Sequence, residues 1–273
     1  MMSFMRADTR LDGRACCLYV SAMMSPNLNA SDLDPASPEF AARRAEARQT
    51  LDALDPAKQV GQEGAGGDPL RRAWFESVYR LAENDPARVP WANLAPHPLT
   101  RAWVEGQVRG LTGLRALDVG CGLGDNAECL SAAGAEVLAF DLVADAISWA
   151  KQRFPATKVN YRATDLFDLP SEWQGAFSLV HECYTLQALS ISLVPKALGV
   201  LASLLAAGGH LLVVARARSE DEDVSGPPWP LPPSFIEEAK SQGLQPVMVE
   251  DINATSEVGR RHWRVLFQRE PQG

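Results

Sequence analysis

Leu117-Asp-Val-Gly-Cys-Gly-Leu-Gly-Asp125 joins a short apolar run, Arg115 to Val119, to a helical pattern that follows it. Three glycines spaced Gly-x-Gly-x-Gly let the backbone turn tightly and approach a ligand closely, and the helix start offers free amide donors. Seventeen residues past the last glycine, a second apolar run (Glu136 to Phe140) ends in Asp141. A carboxylate so placed can accept hydrogen bonds from two ribose hydroxyls. The glycine loop alone is a weak signal, because such strand–helix turns serve many nucleotides.

Working outward, the rhythm on both sides is that of an α/β protein. Strands are expected at 115–119, 136–140, 158–162, 177–182 and 209–215, with helices at 124–133, 144–153 and 194–206. Such alternation marks a parallel sheet. Ala207-Gly208-Gly209 is expected to form a tight turn ahead of the fifth strand. After a helix from Pro233 to Gln242 the rhythm changes, and Gln245 to Ile252 and His262 to Arg269 alternate as a half-buried closing hairpin. Upstream, a helix is expected from about Pro38 to Leu54 and another from Asp68 to Glu83, where Leu70, Trp74, Phe75, Val78 and Leu81 have helical spacing. Between those two lies a glycine-rich break at 61–67. Three prolines keep 89–98 out of regular helix, and a helix follows from Leu99 to about Gly110. The division expected is a largely flexible extension over 1–67, carrying one helix, and a catalytic-type domain over 68–273.

Composition narrows the function classes. With 273 residues, 46% of them hydrophobic, the chain can bury one sizeable core. A formal charge of −8 and dispersed arginines argue against a nucleic-acid surface. Arg43-Arg44 and Arg71-Arg72 read as solvating charges on polar helices. Five cysteines without regular spacing point to reduced thiols and a cytoplasmic home, and no metal-ligand spacing is present among the Cys and four His residues. No run approaches the ~18 apolar residues needed to span a bilayer. Residues 15–24 are too short and too acidic in their flank for a signal core; the expectation is that Met23 or Met24 is the true start, or that the first two dozen residues form a loose tail.

Asp118-Val-Gly-Cys-Gly-Leu-Gly124, Asp141 closing the second strand, and Thr164-Asp-Leu166 after the third resemble the class I S-adenosylmethionine-dependent methyltransferases over roughly 89–269. A dinucleotide dehydrogenase would place a pyrophosphate on this loop, whereas an acid before the glycines suits an ammonium group and repels a pyrophosphate. The resemblance implies a Rossmann-like, seven-stranded, mostly parallel sheet with an antiparallel C-terminal hairpin, helices on both faces and an N-terminal helical extension. It also implies S-adenosyl-L-methionine as cofactor. Gly120, Gly122 and Gly124 would line its methionine and ribose portions, Asp118 its amino-acid end, Asp141 with Leu142 the ribose, and Asp165 with Leu166 the adenine.

A narrower resemblance, to thiopurine and small-thiol methyltransferases, rests on Val89-Pro-Trp91, Pro96-x-Pro98-Leu99 and Phe177 to Leu189. It implies that Trp91 covers the sulfonium, where an aromatic face attracts the cation; the alternative is plain core packing. Ser178 departs from that group, which carries an acid there. His181 and Glu182 end the fourth strand, and alternation sends them to opposite faces. Glu182 is the expected pocket residue, with His181 a partner or a buried histidine. Tyr184 and Gln187, which open the loop and helix beyond, are candidate pocket residues, and Glu182, His181 and Tyr184 are the catalytic candidates. The long 216–233 loop is either a lid, with Arg216 and Trp229 walling the acceptor site, or a solvated acidic loop. The expected activity is methylation of a small molecule, a thiol or other soft nucleophile, without metal, nucleic acid or membrane. An inert cofactor-binding regulator and an NAD-linked oxidoreductase are the alternatives, and neither the acceptor nor the oligomeric state is legible.

Overall fold

The computed structural model describes residues 30–55, 71–224, 226–254 and 259–270. The glycine-rich break at 61–67 and both candidate start sites lie outside them. Seven strands form one sheet: β1 (Arg115–Val119), β2 (Glu136–Asp141), β3 (Asn160–Ala163), β4 (Phe177–Cys183), β5 (Leu205–Arg216), β6 (Leu244–Ile252) and β7 (His262–Arg269). Their order is β3-β2-β1-β4-β5-β7-β6. The neighbours from β3 to β5 are parallel, and β7 runs antiparallel to both β5 and β6. The expected architecture is thus the observed one.

Among the described residues seven α-helices accompany the sheet: α1 (Pro38–Leu54), α2 (Arg72–Ala82), α3 (Pro98–Glu105), α4 (Asp125–Ala132), α5 (Ala144–Arg153), α6 (Val194–Leu204) and α7 (Phe235–Ser241). One face of the sheet buries Leu117, Val180, Val213 and Phe267 against Leu198 and Leu201 of α6 and Phe235 of α7. The other buries Ala116, Ala139, Leu179 and Leu212 against Leu130 of α4 and Ile147 of α5. Each buried Val, Leu, Ile or Phe among them contributes ~1.5–3 kcal/mol. β1, β2 and β4 are buried along most of their length, as a sheet covered on both sides requires.

A third apolar cluster sits beyond the carboxyl ends of β1 and β2. Leu51 of α1, Val78, Tyr79 and Ala82 of α2, and Trp91 pack there on Leu123 of the glycine loop and Trp149 of α5. The helix Pro38–Leu54 has the expected bounds, with Ser37 accepting from the Phe40 amide as its N-cap. Its arginines do not merely solvate it. Arg43 pairs with Asp85 at 2.8 Å and Arg44 donates to the Ala92 carbonyl. Arg71 pairs with Asp55 at 2.5 Å, and Arg72 with Asp165 at 2.8 Å.

Two local differences have clear causes. The helix expected to reach Gly110 stops at Glu105, where Gly106 caps it. The turn expected at 207–209 lies inside β5: Phe177 pairs with Leu205 and Leu179 with His210, so the strand enters early and bulges through its glycines. No helix among the described residues is long and apolar enough to cross a membrane.

Candidate active site

The glycine loop leaves β1 between β2 and β4, at the carboxyl end of the sheet, where the strand order reverses and ligands of such sheets sit. Asp141 holds it. One carboxylate oxygen accepts from the Gly122 amide at 2.9 Å and the other from the Val143 amide at 3.0 Å. Burial still pushes this carboxyl above its ordinary range. Gly120 is left-handed (φ +62°), and any side chain there would overlap the Thr185 hydroxyl, which donates to the Val119 carbonyl. Gly122 is also left-handed (φ +53°); a Cβ would lie 3.6 Å from the Tyr79 hydroxyl and 3.8 Å from the Trp91 indole nitrogen. Gly124 packs on the Tyr161 ring.

Trp91 thus stands over the loop and also packs in an aromatic cluster with Trp74, Phe75 and Tyr79. Its N–H donates to the Tyr79 hydroxyl at 3.1 Å. Leu142 joins this cluster and Leu166 is buried. Asp165 accepts from the Phe167 amide on one oxygen and from Arg72 on the other. The start of α2 therefore closes over the third strand's acid, a contact that nothing in the local sequence signals.

Asp118 and His181 are register partners on one face, both fully buried. The Asp118 Oδ1 lies 2.6 Å from His181 Nδ1, and His181 Nε2 lies 2.9 Å from the Thr100 hydroxyl of α3. The other oxygen of Asp118, Oδ2, is buried with no hydrogen-bond partner. Buried polar atoms are nearly always paired, so this one asks for a donor.

Glu182 faces the opposite side, wholly buried. Its Oε2 accepts from the Thr185 and Leu186 amides, fixing the turn after β4, while Oε1 has no partner. Burial pushes this carboxyl up to about 8. Gln187 likewise works on main chain: its Oε1 accepts from Arg216 N at 2.6 Å, and its carbonyl accepts from Trp229 N at 2.8 Å. Trp229 is buried, and Arg71 lies 6.0 Å from its ring centroid. The 216–233 loop therefore folds down toward α2.

Beside the glycine loop a group forms that sequence reasoning caught only in part. Tyr184, expected as a pocket residue, is left-handed (φ +70°), a costly state for a tyrosine that marks a constrained position. Its hydroxyl lies 2.9 Å from His97 Nε2 and 2.6 Å from His262 Nε2. His97 caps α3, where its Nδ1 accepts from the Leu99 amide, and its own amide donates to Asn126 of α4. His262 Nδ1 lies 2.7 Å from the Arg260 carbonyl. Burial, then His262 and His181, pull His97 down to about 3; burial also lowers His262, with Arg216 and Arg260 adding to that. Both rings are neutral at neutral pH. His97 fills only the unspecified place of Pro96-x-Pro98-Leu99, and His262 stands in no motif. The signal available was that β7 must begin near the end of β5, which places His262 opposite Arg216.

Residues 116–209 match the family described as methyltransferase domain. A ubiquinone biosynthesis O-methyltransferase of Bordetella parapertussis is 35% identical over 123 residues, 44% of this chain and 51% of that protein. One of the same name from Xanthomonas campestris is 34% identical over 124 residues, 44% and 49% of the two chains. The chain thus spans about half the length of these curated relatives. Among solved structures, a 1,6-didemethyltoxoflavin-N1-methyltransferase of Burkholderia thailandensis, bound to S-adenosylhomocysteine, superposes with a TM-score of 0.59 at 17% identity, over 74% of this chain and 88% of that one. The cyclase SpnF superposes at 0.56 with 18% identity, over 75% and 94%. At such identities the likeness is one of fold alone, and the same fold evidently serves more than one reaction.

Proposed function

We infer that this chain, which carries the class I S-adenosylmethionine-dependent methyltransferase fold, binds S-adenosyl-L-methionine and transfers its methyl group to a small molecule. The observation that carries the reading is the acidic frame of the glycine loop. Asp141 stands at its rim, and Asp118 lies beneath it with a buried oxygen lacking a donor.

The residues fit the cofactor. Asp118 Oδ2 suits its ammonium group, and Asp141 keeps a lone pair on each oxygen for ribose hydroxyls. Asp165 and Leu166 suit the adenine, with Arg72 sharing or yielding the carboxylate. Trp91 and Tyr79 wall the loop with aromatic surface, which favours a sulfonium and excludes water. When bound, the cofactor supplies a methyl group already activated for in-line displacement. The protein's part is to hold the acceptor in line, keep the cleft dry and remove a proton where the acceptor needs it.

The partial relatives' names favour oxygen as the acceptor atom, whereas the narrower sequence resemblance favoured sulfur. The free thiols of Cys121 and Cys183 accord with a cytoplasmic setting. Isothermal titration tests the reading. S-adenosylhomocysteine should bind and NAD should not, and Asp141→Ala should weaken the former by about 10- to 100-fold, the worth of a hydrogen bond to a charged group. Unchanged affinity in Asp141→Ala, in a chain that still unfolds cooperatively, would refute the site. Binding without turnover across a phenol, thiol and amine panel would favour an inert regulator.

A further inference from the structure

We propose that His97, Tyr184 and His262 form a directional proton relay that deprotonates a hydroxyl acceptor, so that the methyl acceptor of this protein is a weakly acidic hydroxyl such as a phenol. This rests on the methyltransferase reading above and names the acceptor class for that site.

The direction of the relay follows from hydrogen-bond valence. The Leu99 amide can only donate, so His97 Nδ1 is unprotonated and its Nε2 carries the hydrogen. That N–H therefore donates to the Tyr184 oxygen. The Arg260 carbonyl can only accept, so His262 Nδ1 carries the hydrogen of that ring and its Nε2 is a bare lone pair. The Tyr184 O–H must then donate to His262. The chain runs one way, from His97 through Tyr184 to His262, and it ends on an acceptor able to take a proton. The second lone pair of the Tyr184 oxygen faces the Arg216 guanidinium, which an acceptor hydroxyl displaces to reach it, and Tyr184 and His97 are both half-buried.

The groups facing the relay keep it poised. Cys183 adjoins Tyr184 on β4 and Asn126 of α4 orients His97, while Arg216 and Arg260 stand on the β5 and β7 sides. The two arginines disfavour an imidazolium at rest. Tyr184 also neighbours Thr185, the residue pressed on Gly120, which places the relay against the glycine loop. In the reaction the acceptor oxygen bonds to the methyl carbon as the carbon–sulfur bond breaks, its electron pair staying on sulfur, so positive charge lost there reappears on His262. The acceptor proton passes to Tyr184 Oη while the tyrosine's own proton passes to His262 Nε2; both steps reverse to water once product leaves. A thiol, with a pKa of roughly 8.5, is already part-ionised at neutral pH and needs no such device, whereas a phenol near 10 does.

Two readouts test this on the full chain. Imidazole NMR of labelled histidine should find His97 as the Nε2–H tautomer and His262 as the Nδ1–H tautomer, both neutral at neutral pH; the opposite tautomer at either ring overturns the proposal. Methyl transfer to phenol and catechol should fall about 100-fold or more in Tyr184→Phe and His262→Gln, within the span of general-base effects, while transfer to thiophenol changes less than about 3-fold. Raising the pH to about 10, where the phenol ionises unaided, should restore most of the lost rate. His262→Gln keeps an acceptor for the tyrosine hydroxyl, so it separates the proton's destination from packing. S-adenosylhomocysteine affinity should stay unchanged in both variants. A parent chain that binds S-adenosylhomocysteine yet methylates no hydroxyl overturns the relay and leaves the cofactor reading intact; a parent that does not bind it overturns that reading instead.

Discussion

Glu182 combines a position at the site with a structural task. Its place at the carboxyl end of β4 suggests chemistry, yet one of its oxygens holds two amides of the following turn and the other is buried without a donor. Burial raises its folded pKa from 4.5 to about 8. The native state therefore binds more protons than the unfolded chain between those values. The associated stability is full below pH 4.5 and is lost as pH rises toward 8, at up to about 1.4 kcal/mol per pH unit. Glu182→Gln keeps the accepting oxygen and removes the charge. Denaturant unfolding of that variant should show a shallower loss of stability between pH 5 and pH 8, whereas an unchanged slope would assign the buried charge elsewhere.

Among elements, the junction of the glycine loop with α4 depends on Arg153 of α5. The guanidinium is buried, pairs with both oxygens of Asp125 at 2.8 Å, and donates to the Leu123 carbonyl at 2.6 Å. It thereby fixes the first residue of α4 against the helix that follows Asp141. Removing one partner of a buried pair leaves the other charge stranded. Arg153→Met should cost about 3 kcal/mol in unfolding free energy and weaken S-adenosylhomocysteine binding through the loop, read by calorimetry. The loop, Asp141 and the strand alternation were legible in sequence because each is local, a few residues whose spacing is set by one turn. Arg153 was not, since the contact spans a whole strand and helix and an arginine at a helix end reads as surface. The bulge in β5 was hidden for a related reason: only pairing with Phe177 distinguishes a glycine turn from a glycine-bent strand.

At the scale of the molecule, the cleft is framed by segments far apart in the chain, and α1, α2, α3 and β7 among them lie outside the 116–209 stretch that matches the methyltransferase domain. The sequence divided the chain near residue 67, but α1 buries Phe40 and Leu51, and its arginines reach Asp85 and the main chain at 90–92. A chain lacking residues 1–55 should melt several degrees lower, since ~2 kcal/mol corresponds to about 4–8 °C in a domain of this size, and should bind S-adenosylhomocysteine more weakly because Arg71 loses Asp55. A truncated chain that melts and binds like the parent would make α1 a mere appendage. The relay shows the same dependence on assembly, because His97, Tyr184 and His262 meet only when α3, β4 and β7 are in place. Its polarity has a further source. An imidazole tautomer that answers to a neighbouring side chain can be rewritten by one codon. Here a peptide N–H at Leu99 and a peptide C=O at Arg260 set it, groups that nearly every amino acid supplies. Substitution at those two positions leaves the polarity as it is, proline at 99 excepted. Insertion or deletion in the loops before α3 or β7 does not, so what a lineage must preserve there is loop length rather than residue identity.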